Sequence, residues 1–341
     1  MVTYVEIRCP RCGAPLPPMA PSGVMHCSYC AAPLVPSPGG VRLQRTLDHD
    51  LPDPDRPRLW LGGRRYVLLG RLGRGEGADV FFGRSDQRLS EQVVVEVLRA
   101  RAEVERMAHQ HAVLSALQRS THQGAEHFTR LLPQPVAHGE ARVGIHGDEG
   151  TRTASVLTHA PGFVHNFAEV HAAYPQGIDG AAATWLWKRI LETLSWVHQS
   201  GWVHGALLPA HLLVHARDHG VRLLGWGRAV PRGRPLPAFT AGAEAFYPAP
   251  VWEGAPATPA TDLTMSARSI LWLIGGGTIA RSSAAVPDGI LALLLRAAQD
   301  DAGGATDAWA LRDALSHAAH AAFGPPKYVP FPMPGWRLGG A

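Results

Sequence analysis

The stretch from Trp196 to Val230 constrains this chain most. It reads W-V-H-Q-S-G-W-V-H-G-A-L-L-P-A-H-L-L-V-H-A-R-D-H-G-V-R-L-L-G-W-G-R-A-V. The pattern is a helix end, a glycine turn, a short apolar strand, a turn and a second apolar strand. The helix that leads into it spans Ala181 to Ser200, with Leu186, Ile190, Leu191, Leu194 and Val197 at helical spacing. A chain of 341 residues, 46% hydrophobic and 18% charged, has room for one domain with a real core and a small extra module.

The same stretch resembles the protein-kinase catalytic loop. Val203-His204-Gly205-Ala206-Leu207-Leu208-Pro209-Ala210-His211-Leu212-Leu213-Val214 follows the frame V-H-R-D-L-x-P-x-N-x-L-V. Arg222-Leu223-Leu224-Gly225-Trp226-Gly227 follows the strand and D-F-G turn after it. The frame fits without a gap, but the chemistry differs. Ala206 stands at the catalytic Asp, His211 at the metal-binding Asn and Gly225 at the metal-binding Asp.

Upstream, Tyr66 to Arg84 reads as strand, glycine-rich turn, strand. It resembles the kinase G-x-G-x-x-G-x-V loop, with Gly73, Gly75 and Val80 in place and Ala78 at the third glycine. Gln92 to Leu98 is a β-branched strand that resembles V-A-I-K-V-L, with Glu96 at the phosphate-contacting lysine. A carboxylate there repels phosphate. Only Lys188 and Lys327 are lysines, so none in the N-terminal half can substitute; Arg71 and Arg74 are the cations on the loop. Glu103 to Leu117 reads as an amphipathic helix through Val104, Met107, Val113, Leu114 and Leu117. It resembles the kinase C helix, with Gln110 at the glutamate that pairs with the strand lysine. An amide can donate to a carboxylate, so Glu96 and Gln110 can keep the link without its charge pattern. Arg106, His109 and His111 are alternative partners.

Further on, Phe128 to Leu132 and Arg142 to Ile145 read as strands, and Thr153 to Gly162 resembles the fifth strand and hinge. Tyr247-Pro248-Ala249-Pro250-Val251 resembles Y-x-A-P-E with Val251 replacing the glutamate. Pro259 to Ala267 resembles the helix start D-x-x-S-x-G and retains Asp262, whose family role is to cap the catalytic loop through backbone N–H groups. Leu271–Ile274, Ile290–Ala298 and Ala308–Ala319 read as helices. Asp218 falls in a turn and is expected to face solvent. The resemblance implies an α+β, two-lobed protein kinase-like fold, with a β-rich N-lobe over 65–160 and a helical C-lobe over 161–322. It further implies a column of His204, Trp226 and Leu114. The tail after 322 is Pro-rich with aromatics, so it is not helical; it either lies on its own C-lobe or docks on a partner.

Ahead of this lie Cys9-Pro10-Arg11-Cys12 and Cys27-Ser28-Tyr29-Cys30, pairs separated by 14 residues and followed by Gly13-Ala14-Pro15-Leu16 and Ala31-Ala32-Pro33-Leu34. This repeat looks like the knuckles of a zinc ribbon over 1–40: Cys9, Cys12, Cys27 and Cys30 would give a closed, structural four-thiolate zinc site. A Pro/Gly-rich linker is expected over 41–64, with Val41-Arg42-Leu43 a short strand finishing the ribbon. Met1 to Glu6 has neither a basic start nor an apolar run, so no signal peptide is expected, and no apolar run is long enough for a membrane span. With all four cysteines in the ribbon, a reducing cytoplasm is the expected location.

The resemblance, with these replacements, thus implies a pseudokinase: a kinase fold without the phosphate-binding lysine, the catalytic base or either metal ligand, expected to bind neither ATP nor Mg²⁺. Function then lies in scaffolding or allosteric regulation of a protein partner. Resemblance to bacterial kinase-like proteins with zinc ribbons points to signalling or stress response, with a kinase, phosphatase or von Willebrand A-type protein as partner. Two alternatives remain. One is an unconventional nucleotide-binding phosphotransferase, motivated by the glycine-rich loop and its arginines. The other is nucleic-acid binding through the ribbon, motivated by a net charge of +4, a pI of about 9.1, and Arg8 and Arg11 beside the first knuckle.

Overall fold

A computed structural model describes residues 56–144, 150–275 and 286–333 in full, and the backbone of 25–26, 33–37 and 40–43. Three short N-terminal strands, β1 (Met25–His26), β2 (Pro33–Ser37) and β3 (Gly40–Leu43), form an antiparallel sheet in the order β1-β2-β3. β3 includes Val41-Arg42-Leu43, inside the segment expected to be linker. Cys9, Cys12, Cys27 and Cys30 lie outside the described residues, as do Arg8 and Arg11. No helix among the described residues is long and apolar enough to cross a membrane.

The chain divides into two compact units. The first takes in residues up to His111 together with Pro135–His159. Its centre is a closed barrel in the order β4-β5-β6-β7-β9-β8: β4 (Arg58–Leu61), β5 (Arg64–Arg74), β6 (Ala78–Ser85), β7 (Gln92–Leu98), β8 (Pro135–Gly144) and β9 (Thr151–Thr158). β4 also falls in the expected linker; its alternation of buried Leu59 and Leu61 with Arg58 and Trp60 is a strand pattern in four residues. Leu59, Leu61, Tyr66, Leu68, Val93, Val95, Ala141, Ala154 and Val156 make the barrel core. A second cluster joins the N-terminal half of helix α1 (Val104–Gln118) to the sheet, through Met107 and Val104 against Ala78 and Leu98.

The second unit comprises Ala112–Gln134 and residues from Ala160 on. The sequence boundary at 160/161 put 112–134 in the first domain, but that segment groups with the helical residues. Phe128 explains why: it stacks on Trp196 at 5.9 Å. Phe128 was also expected in a strand and instead sits in helix α2 (Ala125–Leu131). Phe and Thr favour strands locally, but Gly124 at φ +82 starts a helix here, and Thr129 Oγ1 donates back to the Ala125 carbonyl at 2.7 Å. The expected strand at Arg142 is the end of β8, which starts earlier, at Pro135.

The helical unit continues with β10 (Phe163–Asn166), α3 (Phe167–Ala173), α4 (Gly180–Gln199), β11 (Trp202–Val203), β12 (Leu212–His215), β13 (Gly220–Leu223) and β14 (Val230–Pro231). Then come α5 (Ala249–Trp252), α6 (Pro259–Ile274), α7 (Asp288–Ala297) and α8 (Ala308–Phe323). Leu271–Ile274 is the end of α6, so one helix starts with Asp262 in its first turn. α4 and α6 form the core: Trp187, Ile190, Leu191 and Leu194 are buried with Leu263, Met265 and Ile270. Trp187 Nε1 donates to Ser266 Oγ at 3.0 Å, which satisfies both polar atoms in that core.

Candidate functional site

The positions that correspond to kinase chemistry fall into two clusters, one in each unit. In the strand-rich unit, β7 carries Glu96 and α1 carries Gln110. Gln110 Nε2 donates to Glu96 Oε2 at 2.7 Å. Gln110, one of the partners left open by the sequence, is therefore in contact with Glu96, and Arg106 pairs with Glu103 at 2.5 Å. Burial pushes the Glu96 carboxyl above its usual range, outweighing the Gln110 hydrogen bond and the Arg106 charge, which act the other way. Ser155, opposite Glu96 on β9, is fully buried, and its hydroxyl has no hydrogen-bond partner among the described residues. His138 is opposite Ser155 on β8 and stacks with His111 of α1 at 5.5 Å. Burial lowers the affinity of both imidazoles for a proton. Directly paired residues share a face, so Glu96, Ser155 and His138 form a polar row across three strands.

The glycine-rich loop joins β5 to β6, with Gly73 opposite Val80 and Arg74 opposite Asp79. It is fastened from within. The Gly75 N–H donates to the Ala78 carbonyl at 2.8 Å, and the Arg99 N–H to the Gly77 carbonyl at 3.0 Å. The Arg99 guanidinium donates to the carbonyls of Gly75 at 2.7 Å and Glu76 at 2.6 Å, and pairs with Asp79 at 3.2 Å. Arg71 pairs with the same Asp79 oxygen at 2.7 Å. A Cβ at Gly77 would come within 2.6 Å of Glu103 Cγ and 2.9 Å of Arg106 Nη2, so the loop tip rests against the start of α1. Neither Arg99 nor Gly77 stands out in the sequence: the signal is the set of carbonyls around one arginine, which only the fold assembles.

In the helical unit, the loop after β11 brings Ala206, His211 and Gly225 together. Ala206 is fully buried. Its carbonyl lies 2.8 Å from His211 Nδ1 and also accepts from the Leu208 N–H at 2.8 Å. Gly225 has φ +84, and a Cβ there would come within 2.5 Å of His211 Nδ1. The imidazole thus occupies the space a side chain at 225 would need. Beneath the loop, fully buried Asp262 accepts from the N–H groups of His204 and Gly205, both at 2.8 Å, and from His198 Nε2 at 2.9 Å. His204 meets Trp226 edge-to-face at 4.5 Å, and Trp226 Nε1 donates to the Leu223 carbonyl at 2.8 Å. Leu114, the third residue of the expected column, is fully buried. Burial drives the His204 pKa down to about 4, so its imidazole is neutral at pH 7. Asp218 is in the β12–β13 turn, exposed and paired with Arg217 at 3.0 Å. Among the described residues no three His, Cys, Asp or Glu side chains gather as a metal site, and the four cysteines are not among these residues.

No protein-family model matches the sequence, and no curated protein matches it. The solved structures do offer a match. The crystal structure of the BubR1 kinase domain aligns with a TM-score of 0.56, covering 77% of this chain and 83% of that one at 13% identity. At that identity the likeness speaks for fold alone, and the fold of this chain is protein kinase-like.

Proposed function

We propose that the chain is a pseudokinase: a kinase-fold protein that transfers no phosphoryl group and acts by binding a protein partner, as scaffold or allosteric regulator. The observation that carries this reading is the Glu96–Gln110 hydrogen bond, which puts a carboxyl group and an amide where a kinase joins lysine to glutamate. Phosphoryl transfer works by positioning and by charge stabilisation from metal ions and a phosphate-contacting cation. Glu96 offers the opposite sign whenever it is ionised. Ala206 and Gly225 have no side-chain oxygen, and His211 is a poor ligand for Mg²⁺, which prefers oxygen. Its Nδ1 is moreover engaged with the Ala206 carbonyl. Arg71, one candidate substitute cation, is tied to Asp79.

The proposal includes a structural zinc held by Cys9, Cys12, Cys27 and Cys30, supported by the repeat spacing and by β1 ending at His26, immediately before Cys27. It places the protein in the cytoplasm, in bacterial signalling or stress response, with a kinase, phosphatase or von Willebrand A-type protein as partner. Thermal melting of zinc-loaded protein with ATP, ADP and GTP, with and without Mg²⁺ or Mn²⁺, is the test. No shift at millimolar nucleotide is expected; a metal-dependent shift returns the phosphotransferase reading to first place.

A further inference from the structure

Residues 324–333, after α8, contain no helix or strand, yet they are held at several points on the helical unit. Phe331 and Met333 are 7% and 4% exposed, the values of core residues. Phe331 stacks on Tyr174 at 5.5 Å and meets Trp185 edge-on at 5.5 Å. The Tyr174 hydroxyl donates to the Pro332 carbonyl. Tyr328 stacks on His219 at 4.8 Å, and its hydroxyl donates to the Arg217 carbonyl at 3.0 Å. His219 in turn lies flat on Trp185 at 4.2 Å, with 3° between the ring planes. Trp185 of α4 thus holds the two anchors, Phe331 directly and Tyr328 through His219.

The anchors are three residues apart. A polyproline II segment has three residues per turn, so positions i and i+3 share one face. Val329 precedes Pro330 and Phe331 precedes Pro332, and a residue before proline is biased toward that extended conformation. The bound shape therefore takes little ordering entropy. His219 itself sits at φ +53, a left-handed backbone unusual outside glycine, in the turn that lifts its ring onto Trp185.

We propose that Tyr174, Trp185 and His219 form a peptide-recognition groove. It reads extended proline-rich segments with aromatic residues three apart, and residues 328–333 occupy it as an intramolecular ligand. The occupant it accepts in trans is a partner segment of that same chemistry. A tethered occupant competes at roughly millimolar effective concentration, so the strap sets a threshold that a partner must exceed by affinity or by local abundance.

Lysine scarcity supplies the assay. Lys327 is exposed at the start of the strap, and the only other lysine, Lys188, is half-buried within α4. A protease specific for lysine therefore reports strap release in the unmodified, full-length protein. A synthetic peptide of residues 328–336, which lacks lysine, is expected to speed cleavage after Lys327 at least fivefold when in excess. The same peptide with alanine for its tyrosine and phenylalanine is expected to leave the rate unchanged. In a second measurement, full-length Phe331→Ala is expected to bind the fluorescein-labelled peptide at least tenfold more tightly than wild type, and adding Trp185→Leu to abolish that binding. Unchanged cleavage with the peptide, or equal acceleration by the alanine peptide, would overturn the proposal, and so would equal binding to wild type and Phe331→Ala. The proteolysis experiment needs no variant, so it stands even if a substitution impairs folding.

Discussion

Placing an aspartate at the position that resembles the D-F-G aspartate, Gly225→Asp, tests whether Ala206, His211 and Gly225 are interlocked. Gly225 sits at φ +84, where a non-glycine residue costs roughly 1–2 kcal/mol, toward the low end for Asp. The new Cβ would fall within 2.5 Å of His211 Nδ1, so the imidazole must move and gives up its hydrogen bond to the Ala206 carbonyl. A lost hydrogen bond of this kind is worth about 1 kcal/mol. The Ala206 carbonyl keeps its bond from the Leu208 N–H, so no full desolvation penalty is added. Displacing the ring adds about 1 kcal/mol of strain, giving a total of about 3 kcal/mol. His211→Asn alone loses mainly the hydrogen bond, about 1 kcal/mol. The pair together should fall short of the sum, because the smaller side chain vacates the space the aspartate needs. Touching residues couple by about 0.5–3 kcal/mol, and a coupling of at least about 1 kcal/mol is expected here. Urea unfolding of wild type, both single variants and the double variant measures it. Strict additivity, or a Gly225→Asp protein as stable as wild type, would refute the interlock.

Four other outcomes follow from the same geometry. Burial raises the Glu96 pKa above 4.5, so the folded state holds its proton more tightly and stability falls as pH rises through and above that value; Glu96→Gln, which can still accept from Gln110, should melt higher than wild type at pH 8 and lose that part of the pH slope. His204 goes the other way: its pKa drops from 6.5 to about 4, so its share of stability is present above pH 6.5 and lost as pH falls toward 4, on the order of 3 kcal/mol, and the slope of unfolding free energy across that window should shrink by about one proton in His204→Leu. Arg99→Ala releases the carbonyls of Gly75 and Glu76; about 1 kcal/mol of stability should go, with faster amide exchange of Gly75, whose N–H bond to Ala78 closes the loop. One zinc per chain is expected by elemental analysis, and Cys27→Ser should release it, with chelator unfolding the N-terminal segment while the barrel stays folded.

The kinase-like frame was legible because it is written in local signals: glycine turns, β-branched runs and an amphipathic helix, at distances that a resemblance can check. The Glu96–Gln110 contact was legible only as one option among Gln110, Arg106, His109 and His111, because neighbouring positions on one helix offer several polar partners to the same strand residue. Phe128 was misread because β-propensity weighs less than the stacking of its ring on Trp196, a long-range contact. Arg99 was invisible because backbone carbonyls carry no residue identity. Proline made the tail legible as extended, and one of the two readings left it on its own unit. Its seat was not legible, because Tyr174, Trp185 and His219 come from separate elements and share no motif.

The positions where this chain departs from the kinase frame satisfy each other. The Glu96 carboxyl accepts the Gln110 amide hydrogen bond. His211 fills the space that Gly225 leaves and bonds to the carbonyl of Ala206, which stands where the resembling kinase frame has its Asp. Drift that only removed catalytic groups would leave cavities or orphaned polar atoms, each costing about 1–3 kcal/mol. Complementary replacement keeps the loop packed, while Asp262 still holds the His204 and Gly205 backbone from below. A loop packed this way has its binding groups engaged internally, and placing the kinase-frame side chain at any one of these positions works against its neighbours. That packing supports the proposed reading of a kinase-like fold that acts by binding a partner.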